Sequence, residues 1–304
     1  MKTFIKLSII FSIPIMIFLI VSEILLRNIP NNYSYKKHYL DTKSNEIEVL
    51  YLGSSHVYYG INPEYSKFKS FNASNISQSL NFDLRILEKY RDNWPNLKYI
   101  VIPVDYFSMY TSLEQGIEKW RVKNYSIYFD INISSNYKNN FEILNGKFSD
   151  DLTRLKSYYL LNGSTDVTCN KLGWGTTNNS KKSKDLIETG KVAMARHTFE
   201  SNDLIFKNNV NTLNAIIKFA KQKKLKIIFF TSPAFHSYVD LLNHDQLFKT
   251  VNIITKISSE NSNSVYYNLL KNKSFVADDF YDADHLNEKG AKKLTFIIDS
   301  LINK

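Results

Sequence analysis

Five short apolar runs constrain this chain more than any other feature of it: Glu46–Leu52, Lys69–Phe71, Lys98–Val104, Leu225–Phe230 and Val265–Leu269. They are too short for helices, and the longer ones show little polar alternation, so they read as strands buried on both faces. Helical stretches lie between and after them. Ser77–Asp92 carries Leu80, Leu84, Leu87 and Tyr90 at helical spacing, and Val210–Lys224 carries Leu213, Ile216, Ile217 and Ala220. Gln246–Glu260 and Glu288–Ile302 complete the set, with Asn287 placed as the N-cap of the last helix. Strands that alternate with helices argue for a parallel sheet covered on both sides, a three-layer α/β/α sandwich.

The alternation is interrupted by residues 106–205, rich in Tyr, Ser and Asn and weakly periodic. An insertion of this length reads as a lid or binding loop. Its aromatics Trp120, Tyr125, Tyr128, Phe129, Tyr137 and Trp174 either stack on sugar rings or form a satellite apolar core, the second being preferred.

The amino end has a different character. A basic start containing Lys2 and Lys6 leads into an apolar run from Leu7 to Leu26, broken only by Pro14, three serines and Glu23. About twenty such residues cross a bilayer as a helix. The run ends Glu23-Ile24-Leu25-Leu26-Arg27 with no small-x-small cleavage site. We therefore expect an uncleaved anchor over residues 1–27, a tether over 28–44 and an α/β domain over 45–304, with the bilayer as partner through residues 7–26. Lys2 and Lys6 place the remainder outside the cytoplasm, although Arg27, Lys36 and Lys37 on the other flank pull against this.

The formal charge of +10 invites a nucleic-acid reading, but only six of the 39 basic residues are arginine and none are clustered. The charge is read as general compositional bias, with attraction to anionic lipid or glycan as the weaker alternative and no nucleic-acid partner. Cys169 is the only cysteine, which excludes an internal disulfide and a C-x-x-C site. His38, His197 and His244 lack ligand spacing, so no metal or other cofactor is expected.

Candidate chemistry lies at the two ends of the domain. The first strand runs into Gly53-Ser54-Ser55-His56, and the chain closes with Asp282-Ala283-Asp284-His285-Leu286-Asn287. A serine past the carboxyl end of a parallel strand projects where open α/β sheets bind ligands. A serine hydroxyl needs a histidine to take its proton and a carboxylate to orient that histidine. Asp282 and His285, three residues apart, share a face and supply both. Three other residues attract attention. Asp105 ends the third strand and is read either as a bond to the loop or substrate or as a structural cap. His236 follows the fourth and is read either as a substrate contact or as a loop residue shaped by local packing. His56 reads as an exposed turn residue in preference to a second polar contact.

With these motifs in this order the chain resembles the SGNH/GDSL hydrolase superfamily. Gly53-Ser54-Ser55 corresponds to its Gly-Asp-Ser block and Asp282–His285 to its Asp-x-x-His block. The resemblance implies a flavodoxin-like sandwich, with Ser55 as nucleophile, His285 as base and Asp282 as orienting acid. Two blocks depart from the family. Asn72-Ala73-Ser74-Asn75-Ile76-Ser77 has no glycine, which leaves the amides of Ser55 and of Ser74 or Asn75 as oxyanion donors, and Pro103-Val104-Asp105 has no asparagine. Anchored relatives handle acyl groups on surface polysaccharides. The resemblance thus implies an esterase or O-acetyltransferase of envelope glycans, taking its acyl group from a membrane donor protein if it transfers. The alternative is a catalytically weak glycan-binding or assembly protein.

Overall fold

The computed structural model describes residues 1–161, 163–200 and 203–302. In chain order its elements are α1 (Lys2–Arg27), α2 (Asn32–Lys43), β1 (Val49–Tyr51), α3 (Ser55–Gly60), β2 (Ser70–Asn72), α4 (Leu80–Lys89), β3 (Tyr99–Pro103), α5 (Val122–Tyr128), α6 (Phe148–Leu155), α7 (Leu186–His197), α8 (Asp203–Gln222), β4 (Lys226–Thr231), α9 (His236–Val239), α10 (His244–Ser259), β5 (Ser264–Asn268) and α11 (Glu288–Ile302), joined by short 3-10 turns and loops. The chain divides into two compact units, Met1–Lys37 with Ile117–Val167 and His38–Gly116 with Thr168–Lys304.

The second unit holds one five-stranded sheet in the order β2-β1-β3-β4-β5, every neighbouring pair parallel. This is the flavodoxin-like order, whose switch point falls between β1 and β3. Alternate strand residues face opposite sides. Val49, Tyr51, Val101, Ile228 and Phe230 pack with Val57 of α3 and with Leu294, Ile298 and Ile302 of α11. Leu50, Ile100, Ile102, Ile227 and Phe229 point the other way and are equally buried, and on that side α8 packs on β4 and α10 on β5. Each such side chain contributes about 1.5–3 kcal/mol by leaving water. The expected α/β sandwich with a parallel sheet is therefore present. β1 is shorter than its sequence suggests, because Ser44–Glu46 forms a 3-10 turn before it.

The first unit carries α1, 26 residues and so about 39 Å long, enough to cross a hydrocarbon core of roughly 30 Å. Phe4, Leu7, Phe11, Met16 and Ile20 along it are exposed. Its polar end is clamped, since the Glu23 carboxylate accepts the amide hydrogens of Glu142 (3.0 Å) and Ile143 (3.1 Å). Glu142 is itself buried and accepts from Lys123 Nζ (2.6 Å), Tyr128 Oη (2.7 Å) and Arg154 Nη1 (3.0 Å). Tyr33, Tyr125 and Phe129 meet edge to face beside this network, with Tyr33 and Tyr125 centroids 5.1 Å apart. Tyr125, Tyr128 and Phe129 are thus a satellite core, whereas Trp120 and Tyr137 stay exposed. The stretch expected as a tether contains α2, begun by Asn31 Oδ1, which accepts from the amides of Tyr33 (2.9 Å) and Ser34 (3.1 Å). α2 has almost no apolar stripe, so periodicity gave no sign of it.

Candidate active site

The turn after β1 is held from several sides. Gly53 takes φ +120°, and a Cβ there would stand 2.5 Å from the Pro103 ring, so only glycine fits. Its amide donates to Asp83 Oδ1 (2.9 Å). Ser55 is then the first residue of α3 and partly exposed. The Asn72 carboxamide fixes that short helix by donating to the carbonyls of Val57 and Ile61, both at 2.8 Å.

The distal turn is set by the last helix. Asn287 Oδ1 accepts from the amides of Lys289 (2.9 Å) and Gly290 (3.2 Å), the capping role expected of it. Ahead of it, Asp282 Oδ1 lies 2.8 Å from the His285 amide and 2.9 Å from His285 Nδ1. The other ring nitrogen, Nε2, stands 2.9 Å from Ser55 Oγ. Ser55, His285 and Asp282 are thus brought together in the order that nucleophile, base and orienting acid require. Burial alone would push the His285 imidazolium down, but the Asp284 and Asp282 carboxylates hold it up to about 10.

Behind this line lies a buried polar cluster that the motifs did not disclose. His56 is buried, not exposed, because the residue after Ser55 on α3 turns its side chain into the protein. Its Nδ1 lies 2.8 Å from Asp105 Oδ2 and its Nε2 3.5 Å from Asp284 Oδ2. Asp105 is no surface contact for a substrate either: it is buried, and its second oxygen accepts from the Ser232 amide (2.7 Å). Asp284 also meets Arg196 Nη2 (2.9 Å), and its Oδ1 is 3.5 Å from His285 Nδ1. Burial would raise the Asp284 carboxyl, yet His285, His56 and His197 hold it well below the usual range. His197 packs alongside with Nδ1 3.0 Å from Tyr238 Oη, its own pKa pushed well down by burial. Arg196 and His197 end α7, inside the weakly periodic middle segment, where no spacing pointed to them. The polar atoms of His56, Asp284 and His285 come close to one another, but the Arg196 guanidinium already supplies a cation to Asp284. We assign no metal.

The other expected contacts fall differently. The Ser74 amide donates to Asn72 Oδ1 (3.1 Å) and the Asn75 amide to the Gly53 carbonyl (3.3 Å). Both residues are buried, so neither amide is presented to an oxyanion as expected. The Ser55 amide, in the first turn of α3, has no intrahelical partner and remains the candidate donor. His236 opens α9 on the surface, its side chain 66% exposed and 3.8 Å from Asp240, with no hydrogen bond to Ser55, His285 or Asp282 among the described residues. A cavity of about 700 Å³ between α8 and α10, lined by Tyr110, Phe206 and Phe248, contains no triad residue.

No family model matches the chain, and no curated protein matches it. Solved structures similar to it include a protein described as a platelet activating factor from Streptococcus pneumonia, 10% identical, covering 96% of this chain and 98% of that one with a TM-score of 0.45. Another is described as an acylhydrolase from Bacteroides fragilis, also 10% identical, covering 87% of this chain and 94% of that one with a TM-score of 0.40. Both scores are below 0.5, so the site rests on its own geometry.

Proposed function

We propose that the chain is a membrane-anchored acyl-ester enzyme, an esterase or O-acyltransferase working through Ser55, His285 and Asp282 on envelope polysaccharide outside the cytoplasm. The observation that carries this reading is the unbroken line from Ser55 Oγ to His285 Nε2 and from His285 Nδ1 to Asp282. Ser55 Oγ attacks the ester carbonyl while its proton passes to His285 Nε2, and Asp282 balances the imidazolium. Collapse of the tetrahedral intermediate breaks the ester C–O bond, and the His285 proton leaves on the departing alcohol. Water or a sugar hydroxyl then attacks the acyl-serine, giving hydrolysis or transfer and returning Ser55 to its free form. The anchored, outward-facing arrangement draws support from α1 and from Lys2 and Lys6 at its start. The glycan is inferred only from the motif resemblance.

A fluorophosphonate probe tests the chemistry: wild type labelled and Ser55→Ala unlabelled is the expected result, and no labelling of folded wild type rejects it. One observation favours a second reading, a glycan-binding or assembly protein with little turnover. The Ser74 and Asn75 amides are engaged and Asp105 stands where an asparagine donor is absent, and each missing oxyanion donor costs about 3 kcal/mol of transition-state stabilisation. Unlabelled protein that still binds acetylated polysaccharide would support it.

A further inference from the structure

His285 stands among more negative charge than a serine hydrolase base needs. Asp282 holds its Nδ1 at 2.9 Å, and Asp284 Oδ1 approaches the same nitrogen at 3.5 Å. Two carboxylates on one imidazole favour the protonated ring, and a protonated ring cannot take the Ser55 proton. Something must draw one carboxylate away.

We propose that His56 is a positioning residue: held as an imidazolium between Asp105 and Asp284, it draws part of the Asp284 charge off His285 and so weakens that carboxylate's hold on the base. This rests on the reading of Ser55 and His285 as nucleophile and base. The geometry of His56 fits a cation. Nδ1 meets Asp105 Oδ2 at 2.8 Å and Nε2 faces Asp284 Oδ2 at 3.5 Å, with the side chain 5% exposed. A neutral ring would turn a lone pair toward one of these carboxylates, whereas the imidazolium offers a hydrogen to each. Nε2 has no hydrogen-bond partner among the described residues, so Asp284 is the group it faces. Asp105 is itself fixed by the Ser232 amide and cannot swing toward His285.

The surrounding groups sharpen the charge balance. From α7 come Arg196, 2.9 Å from Asp284 Oδ2, and His197, whose ring centroid is 6.1 Å from that of His56. From α9 comes Tyr238, bonded to His197. The segment before α11 brings Asp282, Asp284 and His285, and the one after β3 brings Asp105 and the Phe107 ring, 5.1 Å from His56. Three carboxylates therefore face two fixed cations, Arg196 and His56. One negative charge is left for the imidazolium that forms on His285 during acyl transfer. Take His56 away and two are left, so His285 holds its proton more tightly. Burial by itself would discharge His56, but Asp105 outweighs it and holds the ring above its ordinary value.

The test is the pH profile of kcat/KM on p-nitrophenyl acetate, using the full chain in detergent. His56→Asn should move the acid limb up by about one pH unit, lowering the rate about tenfold at any pH below the limb while leaving the plateau within about threefold. Adding Asp284→Asn to His56→Asn should bring the limb back. A uniform fall at all pH values, with the limb unmoved, would mean that His56 only supports the fold and would overturn the proposal. Should His56→Asn not fold, His56→Gln must move the limb the same way, and an unmoved limb there overturns it equally. An NMR titration of His285 in Ser55→Ala protein, with and without His56→Asn, separates the two readings. A raised His285 pKa, where protein with Ser55 intact shows no turnover, rejects the esterase but keeps the coupling, and an unchanged pKa rejects the coupling alone.

Discussion

The turns that follow β1 and β2 leave the same edge of the sheet side by side, and they disclose themselves very differently. After β1, Gly53 and Ser55 combine with a distant Asp282-x-x-His285 in an order that chemistry explains, and their side chains meet at 2.9 Å. After β2, Asn72–Ser77 was expected to offer amides to an oxyanion, yet Ser74 donates to Asn72 and Asn75 to Gly53. Side chains that must converge leave a trace in spacing. A backbone amide leaves none, because its use depends on which acceptor the folded loop brings near it. Asp83 joins the two turns, accepting from the Gly53 amide and from Gln78 Nε2 (2.6 Å).

The sharpest way to break this contrast is at Ser55. Ser55→Ala or His285→Ala should each remove nearly all turnover, about 10⁶-fold by analogy with serine proteases, and the double variant should lose no more, since the two act as one unit. Asp282→Asn should be roughly a hundredfold less damaging. Steady-state kinetics on an aryl acetate decide, and full activity in Ser55→Ala would reduce the triad to a structural coincidence.

The link between the turns gives the next effect. Burial raises the Asp83 carboxyl from 3.8 to about 7, against the bonds from Gln78 and the Gly53 amide that lower it. The folded chain therefore binds this proton more tightly than the unfolded one. The stability it confers is complete below pH 3.8 and is lost as pH rises through about 7, in total up to ~4 kcal/mol. Urea unfolding should show Asp83→Asn flatter than wild type between pH 4 and 8 and more stable at pH 8. Parallel curves would remove Asp83 as the joint.

Smaller again is Asn72→Ala, which strips bonds from the Val57 and Ile61 carbonyls and from the Ser74 amide. Orphaned buried groups cost about 1–3 kcal/mol each, so a loss near 3 kcal/mol in denaturant unfolding is expected if the β2 turn serves as a brace. A stability change within about 0.5 kcal/mol would reopen it as a catalytic loop. The least effect belongs to His236→Ala, on the surface, which should leave kcat/KM within about twofold.

The same distinction runs through the whole chain. Strand–helix alternation announced the sheet, and α11 ends where its periodicity ends, because apolar burial repeats along the sequence. The middle segment had no such repeat, and Arg196 and His197 join the site only because α7 folds back onto the Asp284 turn. His56 was misread for a related reason: a polar residue in a turn looks exposed until its two buried acceptors, Asp105 and Asp284, are seen around it.

One contact in the first unit bears on how α1 can be treated. Glu23 receives the amides of Glu142 and Ile143, and the same loop presents Glu142 to Lys123, Tyr128 and Arg154. Cutting the chain after Arg27 would therefore take a partner away from the first unit. It would strip the acceptor from two half-buried amides, at about 1 kcal/mol each. The apolar segment is thus part of what holds its own unit together.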